Sequence, residues 1–327
     1  MSSLIFKRNI ILKSCDKTFE VIESNQTFLE VFIQEKNNMN MLRSIEQIIA
    51  PPAPHWVGNA FRVHNFFPGV LEMKRMSPFF LLDYGAKIEF PPSNIPRGVG
   101  VHPHRGFETV TIAYHGKVAH HDSAGNSGII EEGDVQWMTA ASGILHKEYH
   151  EEEWSKKGGL LQMAQIWVNL PAKDKMSAPH YQALKLGNFE RYLLKDNKGE
   201  VEVIAGNYNG TKGIASTFTP IEMYNVYLKS GAEIPFSFPQ EYNTGILVIE
   251  GNVLLNGKTI PTDHFVLFAN DGTDILLKSN EEAIVLVLSG EPINEPIVSY
   301  GPFVMNTKQE ILDAYDDLNN GKFGYLE

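Results

Sequence analysis

Short apolar runs that end at glycine turns recur along most of the chain. Residues 107–114 are rich in β-branched and aromatic side chains and end near Gly116, and residues 245–250 behave alike and end at Gly251. Residues 283–288 form a continuous apolar run, which fits a strand that is buried on both faces. Many short strands with turn signals at close spacing predict a β-sandwich or a β-barrel.

Local signals also predict one tight hairpin and one helix. Asn256 and Gly257 stand between residues 253–255 and 258–260, which is a strong signal for a two-residue hairpin turn. Thr307 and Glu310 have the spacing of a capping box. They are followed by apolar residues at helical spacing, namely Ile311, Leu312, Tyr315 and Leu318. We therefore expect a short helix near the C-terminus that ends at residues 319–321.

A weak internal repeat indicates that the strands build two similar units. Aligning Gly116 with Gly251 superposes the apolar runs that precede these glycines. Residues 133–138 then have a counterpart in residues 263–268, with offsets that differ by a few residues. The likeness is one of pattern rather than of identity, and we interpret it as two β-barrels in one chain.

These signals divide the chain into four parts. We expect a poorly ordered N-terminal extension at residues 1–40, a first barrel at 41–170, a second barrel at 171–290, and a tail with the helix at 291–327. The extension contains a stretch at residues 19–34 that could form an amphipathic helix, and it differs in character from the rest. This difference is compatible with a native start at Met41. Residues 169–179 are expected to link the two barrels.

Composition narrows the class of protein. Apolar residues make up 43% and charged residues 20% of the sequence, which is typical of a globular protein. No apolar run approaches the roughly 18 residues that a membrane helix needs, and the apolar stretch near the N-terminus is too short for a signal peptide. The single cysteine, Cys15, excludes an internal disulfide. We therefore expect a cytoplasmic protein that does not enter the membrane.

The charge balance bears on partners. The sequence has 28 basic and 39 acidic residues, which gives a formal net charge of −11. An acidic protein does not attract the phosphate backbone of nucleic acids through its net field, and the sequence has no compact cluster of lysine and arginine. Direct binding of nucleic acid is therefore not expected. An acidic surface serves solubility, and we expect a monomer.

Two short motifs carry the candidate chemistry. His102 and His104 are two residues apart, so on an extended segment their imidazoles point to the same side, roughly 6.5 Å apart along the strand. His146 and Glu148 repeat this spacing some 40 residues later. Three imidazoles and one carboxylate suit a divalent first-row metal and leave coordination positions open. Two histidines at this spacing, taken alone, are common by chance. The surrounding residues therefore determine how strongly the motif indicates a metal site.

The surrounding residues resemble the pirin family, a branch of the cupin superfamily. The resemblance is carried by residues 102–110, 133–140, 143–148 and 300–307, and it extends from about Met41 to the C-terminal helix. It implies an all-β protein with two cupin-type barrels in one chain and a short C-terminal helix. It also implies a single iron or similar metal in the N-terminal barrel, held by the residues that match the family's ligands: His102, His104, His146 and Glu148.

The resemblance implies two kinds of function. Some pirins resemble cupin dioxygenases that open the flavonol ring of quercetin with molecular oxygen, which implies a small aromatic substrate, Fe(II) as the metal, and Glu148 as a catalytic base. Ni, Cu, Co, Mn or Zn are the alternative metals. Eukaryotic pirins are described as nuclear cofactors of transcription factors, so the second hypothesis is a metal- or redox-dependent regulator that acts on a protein partner without turnover. A purely structural metal is the third.

Several positions near the motifs leave alternatives open. Glu108 competes with Glu148 for the oxygen ligand, because many other cupins use the glutamate that follows the two histidines. His115 and His120 are interpreted as barrel or turn residues, and His150 is expected to be exposed. Apolar barrel residues such as Met138, on one face with Asp134 and Gln136, are candidates for contact with a flat aromatic ligand.

The second barrel is not expected to hold a metal. In the repeat alignment its corresponding positions carry Pro239, Asn243, Leu276 and Lys278. Aliphatic and ammonium groups do not bind metal ions. His264 stands alone in this half of the repeat and is interpreted as a structural residue.

Overall fold

The computed structural model describes residues 41–327, and most of them lie in antiparallel strands. The expectations for residues 1–40 lie outside the described residues. The first half of the chain contains, in order, β1 (Ile45–Ile49), β2 (His55–Val57), β3 (Phe61–Phe67), β4 (Phe79–Phe90), β5 (Gly98–His104), β6 (Phe107–His115), β7 (Val118–Asp122), β8 (Ser127–Ile130), β9 (Val135–Thr139), β10 (Ile144–His150), α1 (Glu152–Lys157), β11 (Gly159–Asn169) and β12 (His180–Leu184).

The second half continues in the same style. It contains β13 (Arg191–Leu193), β14 (Gly199–Ala205), β15 (Asn207–Tyr208), β16 (Thr211–Lys212), β17 (Ile221–Leu228), β18 (Ala232–Ser237), β19 (Asn243–Glu250), β20 (Val253–Leu255), β21 (Lys258–Ile260), β22 (Phe265–Phe268), β23 (Asp274–Ser279), β24 (Ala283–Gly290), β25 (Val298–Tyr300), β26 (Phe303–Met305) and α2 (Lys308–Asn319). Short 3₁₀ turns occupy Ala172–Asp174, Leu186–Asn188 and Lys195–Asn197.

Two sheets form the first barrel. The larger has seven strands in the order β12-β9-β6-β11-β4-β3-β2, and the smaller has four in the order β5-β10-β7-β8. Because side chains alternate between the two faces of a strand, one face of each sheet turns into the barrel. On β10 the side chains of His146, Glu148 and His150 are buried, whereas Lys147 and Tyr149 between them are partly exposed. This alternation places the predicted metal ligands of β10 inside the barrel.

The second barrel repeats this arrangement. Its larger sheet has seven strands in the order β1-β22-β19-β24-β17-β14-β13, and its smaller sheet has four in the order β18-β23-β20-β21. Strand β19 lies between β22 and β24 as β6 lies between β9 and β11, which is the correspondence that the internal repeat predicted. The all-β fold with two cupin-type barrels and a short C-terminal helix is therefore confirmed.

The two larger sheets pack against each other. Val110, Ile112 and Trp137 of the first barrel share one buried core with Leu247 and Phe265 of the second. Full burial of side chains of this size stabilises the fold by roughly 1.5–3 kcal/mol each. The interior of the second barrel is filled by apolar side chains, among them Val226, Ile234, Phe236, Val248 and Val285. The first barrel differs, because polar side chains line part of its interior.

Each barrel takes one edge strand from beyond the expected domain boundary at residue 170. Strand β1 comes early in the chain but pairs with β22 of the second barrel, and β12 follows residue 170 but pairs with β9 of the first. An open sheet edge presents unpaired N–H and C=O groups, and these two strands cover one edge of each larger sheet. Each of the two larger sheets thus ends in a strand that comes from across the expected domain boundary.

The local predictions for the hairpin and the helix are confirmed. Leu255 pairs with Lys258, and both Asn256 and Gly257 have positive φ angles, 48° and 80°, as a tight hairpin turn requires. Thr307 caps α2 in a full capping box with Glu310. The six-residue helix α1 was not predicted. No helix within residues 41–327 is long and apolar enough to cross a bilayer.

The C-terminal segment packs on the first barrel beside the predicted metal ligands. Arg105, which follows His104, lies 2.9 Å from the Asp317 carboxylate of α2 and donates through Nε to the carbonyl of Ser142 at 2.7 Å. Its guanidinium also lies 4.7 Å from the ring centroid of Phe323. The helix therefore holds the two loops that flank β5 and β10.

Candidate metal centre

The structure brings three of the predicted ligands together. Strands β5 and β10 are antiparallel neighbours, and His102 lies directly opposite His146 in their register. His104, two residues after His102, points to the same face. The ring nitrogens that the three imidazoles offer all lie within 4.8 Å of one another. Within residues 41–327 this is the cluster of histidine, cysteine and carboxylate groups that could hold a metal ion.

The chemistry of the three histidines fits a metal. The ring centroids of His102 and His146 are 4.1 Å apart, and that of His104 lies 4.7 Å from His146. Burial holds the pKa of His104 and of His146 well below the ordinary value, so both rings are neutral and keep a free lone pair. The Nδ1 atom of His104 and both ring nitrogens of His146 have no hydrogen-bond partner among residues 41–327. Buried nitrogens without partners are costly, and a divalent first-row metal would engage one nitrogen of each ring.

Glu148 lies beside this cluster on the same inward face of β10. Its carboxylate is buried and accepts hydrogen bonds from Nε2 of Gln165 at 3.2 and 3.4 Å. Burial raises the pKa of Glu148, while the nearby His102 and the Gln165 amide act in the opposite direction. A β-bulge relative to β5 separates His146 from Glu148. The group in which every ligand atom lies within 4.8 Å of every other contains the three histidines and not Glu148.

The alternative ligand, Glu108, lies on another face. It shares the face of β6 that carries Val110, which packs in the core between the barrels. The Oγ1 of Thr139 donates to its carboxyl at 2.7 Å, and burial raises its pKa to about 7. Thr111 lies on the opposite face of β6, 3.5 Å from the amide of Gln165 that contacts Glu148. The geometry therefore favours Glu148 over Glu108 as the carboxylate of the cluster.

The other histidines of the first barrel have protein partners. His120 lies within 2.7 Å of the Tyr181 hydroxyl, and His115 lies 3.1 Å from the carboxylate of Glu250. The expectation that His150 is exposed was wrong, because its side chain is fully buried. Its Nε2 lies 3.1 Å from the carbonyl of Ala60. Three aromatic rings surround it, those of Phe61, Phe90 and Trp154.

The wall behind His104 is aromatic. The ring of Trp167 stacks on that of Phe107, with centroids 4.3 Å apart, and both rings lie 5.1 Å from that of His104. Phe80 packs edge-on against both aromatic rings. This wall keeps water from one side of the cluster and fixes the orientation of the His104 ring.

Gln165 was not predicted from the sequence. Its sequence signal is weak, a polar residue within the largely apolar strand β11, and its partner Glu148 comes from the facing sheet. The residues named as candidates for contact with a flat aromatic ligand differ in their surroundings. Met138 is buried with Ile144 and Tyr181 around it, whereas Asp134 is held by Lys185 at 2.7 Å.

The corresponding positions of the second barrel have other roles. Asn243 accepts a hydrogen bond from Arg75 at 3.1 Å and donates to the carbonyl of Ser77 at 2.7 Å. Lys278 pairs with Glu233 at 2.8 Å. These contacts engage the side chains in the protein structure rather than leave them free as donors.

The chain is similar to known proteins both in sequence and in structure. The sequence profile of the family described as pirin matches residues 60–168, and the profile described as pirin C-terminal cupin domain matches residues 223–324. The crystal structure of a quercetin 2,3-dioxygenase from Acinetobacter baumannii is 42% identical and superposes with a TM-score of 0.83, covering 88% of this chain and 100% of that chain.

Two sequence relatives agree with this result. A protein of Pseudomonas aeruginosa with the provisional name quercetin 2,3-dioxygenase is 46% identical over 269 residues, which is 82% of this chain and 94% of that protein. A pirin-like protein of Solanum lycopersicum is 40% identical over 260 residues, which is 78% of this chain and 84% of that protein. The profiles match both barrels, and the chain belongs to the pirin family.

Proposed function

We propose that this protein is a metal-dependent dioxygenase that acts on flavonols of the quercetin type. One observation carries the proposal: three imidazoles within 4.8 Å of one another lie beside a buried carboxylate in the interior of the first barrel. The names of the Acinetobacter and Pseudomonas proteins support the choice of reaction.

The proposed metal ligands are His102, His104, His146 and Glu148. Neutral imidazoles with one carboxylate suit Fe(II), and Ni, Cu, Co, Mn or Zn are the alternatives that this donor set accepts. When bound, the metal supplies Lewis-acid and redox chemistry toward the substrate and molecular oxygen.

The chain's own residues prepare the substrate. The carboxylate of Glu148 accepts the proton of the flavonol hydroxyl that comes closest to the cluster, which leaves the substrate as an electron-rich enolate. Gln165 holds this carboxylate in place through its amide at 3.2 Å. The aromatic wall of Phe107 and Trp167 keeps water away on the side of His104. On this side the cluster is shielded from water, and charges interact more strongly there than in bulk water.

The test compares a ligand variant with a matched control. His146→Ala should lose most of its metal and its oxygen uptake with quercetin, while His264→Ala should keep both. His264 is a suitable control because it lies in the second barrel, where its Nδ1 lies 2.9 Å from the carbonyl of Thr262. Metal content is measured by elemental analysis and turnover with an oxygen electrode.

Two results would contradict the proposal. Full metal occupancy in His146→Ala would remove the site assignment. Metal-loaded wild-type protein that consumes no oxygen with any flavonol would remove the enzymatic assignment and favour the regulatory hypothesis, in which the metal serves a protein partner.

A further inference from the structure

A row of polar side chains crosses the interior of the first barrel next to the metal centre. On the larger sheet Gln165 of β11 lies opposite Thr111 of β6, and Thr111 lies opposite Gln136 of β9. On the smaller sheet Glu148 of β10 lies opposite His120 of β7. The contact between Gln165 and Glu148 shows that the two rows face each other. Because neighbouring strands are about 4.8 Å apart, Gln136 and His120 belong to the same polar layer, one or two strands further on.

His120 makes a second contact between the two sheets. Its Nε2 lies 2.7 Å from the hydroxyl of Tyr181, which belongs to β12 of the larger sheet. Burial raises the pKa of Tyr181 to about 12, so its hydroxyl keeps its proton. The hydroxyl donates to Nε2 or accepts from it, depending on the tautomer of His120. In either case the contact fixes the orientation of the His120 ring.

Gly128 provides the space for this pair. It lies opposite His120 on β8, and its φ is outside the left-handed region, so the backbone conformation does not require glycine. A Cβ atom at this position would lie 2.9 Å from Nε2 of His120 and 3.5 Å from the hydroxyl of Tyr181. The small residue is therefore explained by the pair that it accommodates.

Gln136 supplies an acceptor that lacks a partner. Its side chain is 2% exposed, and its Oε1 has no hydrogen-bond partner among residues 41–327. A buried carbonyl without a partner costs roughly 1–3 kcal/mol. The neighbouring Met138 and Ile144 are apolar, so the layer presents a few polar groups on an otherwise apolar wall. Such a wall is typical of a site for a small organic ligand.

We propose that Gln136, His120 and Tyr181 form a subsite that binds a hydroxyl group of a flat, polyhydroxylated aromatic ligand. Gln136 accepts a hydrogen bond from the ligand's hydroxyl, and the His120–Tyr181 pair provides the polar surface beside it. The choice of flavonols as ligands rests on the proposed function. The subsite makes these residues determinants of specificity, and they discriminate between flavonols by hydroxyl groups that lie away from the enol.

Binding of two flavonols tests the subsite without relying on turnover. Quercetin carries several ring hydroxyls, whereas 3-hydroxyflavone carries the enol hydroxyl alone. We expect Gln136→Leu and Tyr181→Phe to weaken the binding of quercetin about tenfold, which corresponds to the loss of one hydrogen bond, and to change the Kd of 3-hydroxyflavone by less than about twofold. Dissociation constants are measured with metal-loaded protein in the absence of oxygen.

The matched control is Tyr149→Phe. Tyr149 contacts His121 at 2.8 Å with stacked rings, but on the outward face of the same strand pair. This variant should leave both dissociation constants unchanged. Gly128→Ala offers an independent test of the subsite. The added methyl group displaces the His120 ring and should weaken the binding of quercetin but not that of 3-hydroxyflavone. Metal content and melting temperature establish that each variant is folded.

The outcomes separate this inference from the proposed function. Equal weakening of both ligands in Gln136→Leu and Tyr181→Phe, or unchanged binding of both, would overturn the subsite, as would wild-type protein that does not prefer quercetin. A wild-type protein that binds quercetin selectively but consumes no oxygen would overturn the enzymatic proposal and leave the subsite intact.

Discussion

The amide of Gln165 donates to the carboxylate of Glu148 across the interior of the first barrel, at 3.2 Å. The two residues come from different sheets, so the contact links β10 to β11 at the point where the three histidines gather. Glu148, a proposed metal ligand, is thus held in place by a residue that is not itself a ligand. Groups that orient ligands in this way commonly change metal affinity by about 10–100-fold when they are removed.

Replacing Gln165 should therefore weaken metal binding. Gln165→Leu keeps the size of the side chain but removes the donor, and we expect the metal Kd to rise by about 10–100-fold. Titration of the metal-free protein with Fe(II) measures this change. Gln182→Leu is the matched control. Gln182 lies on β12 and donates to the carbonyl of Ser216 at 3.0 Å, so this variant should keep the wild-type affinity for the metal. Equal affinities in the two variants would show that the contact does not support the centre.

Variants of the two candidate carboxylate ligands should differ in metal content and activity. Glu148→Gln should lose more metal and activity than Glu108→Gln, because Glu148 lies beside the histidines and Glu108 accepts from Thr139 on another face. Metal content after dialysis and oxygen uptake with quercetin provide the ranking. The reverse order would mean that this protein uses the carboxylate position of other cupins.

Glu108 should instead influence the pH dependence of stability. Burial raises its pKa to about 7, so the folded protein binds the proton more tightly than the unfolded chain does. This contribution to stability is fully present below the unfolded pKa of about 4.3 and is lost as the pH rises through about 7. Between about pH 5 and 8 the wild-type melting temperature should fall by several degrees more than that of Glu108→Gln. Parallel curves would indicate that Glu108 is ionised in the folded protein.

The sequence could predict the gathering of the histidines but not their supports. The two-residue spacing of His102 and His104 on a strand fixes that they share a face, and the family resemblance adds His146. The contact of Gln165 with Glu148 depends on which strands of two sheets face each other, and no local pattern encodes that. The same holds for His150. The local pattern predicts that it is exposed, but aromatic rings from distant strands bury it.

The exchange of edge strands escaped prediction for a related reason. The internal repeat predicts two barrels, each built from a continuous stretch of sequence. Strands β1 and β12 occupy equivalent edges of the two larger sheets, and each is separated in sequence from the strand it pairs with. Pairing over such distances is decided by which sheet edge is open, a property of the assembled fold.

Metal stoichiometry tests the difference between the barrels. We expect one metal ion per chain, because in the second barrel Asn243 is engaged by Arg75 and Ser77, and Lys278 by Glu233. Its interior is filled by apolar side chains. Elemental analysis of protein saturated with Fe(II) and then desalted gives the number. A reproducible value near two would show that a second centre exists and that the repeat alignment is incorrect.

A chain that begins at Met41 should keep the fold and the metal centre. The strands that the structure describes in both barrels lie within residues 41–327, as do the three clustered histidines, Glu148 and the capped helix α2. The family profiles begin at residue 60, and β1, which covers the edge of the second barrel, begins at Ile45. We expect the shortened chain to bind one metal ion and to unfold within about 2–4 °C of the full-length protein, which corresponds to about 1 kcal/mol for a domain of this size. Calorimetry and elemental analysis on both chains make the comparison. Aggregation or loss of metal in the shortened chain would mean that residues 1–40 contribute contacts on which the barrels depend.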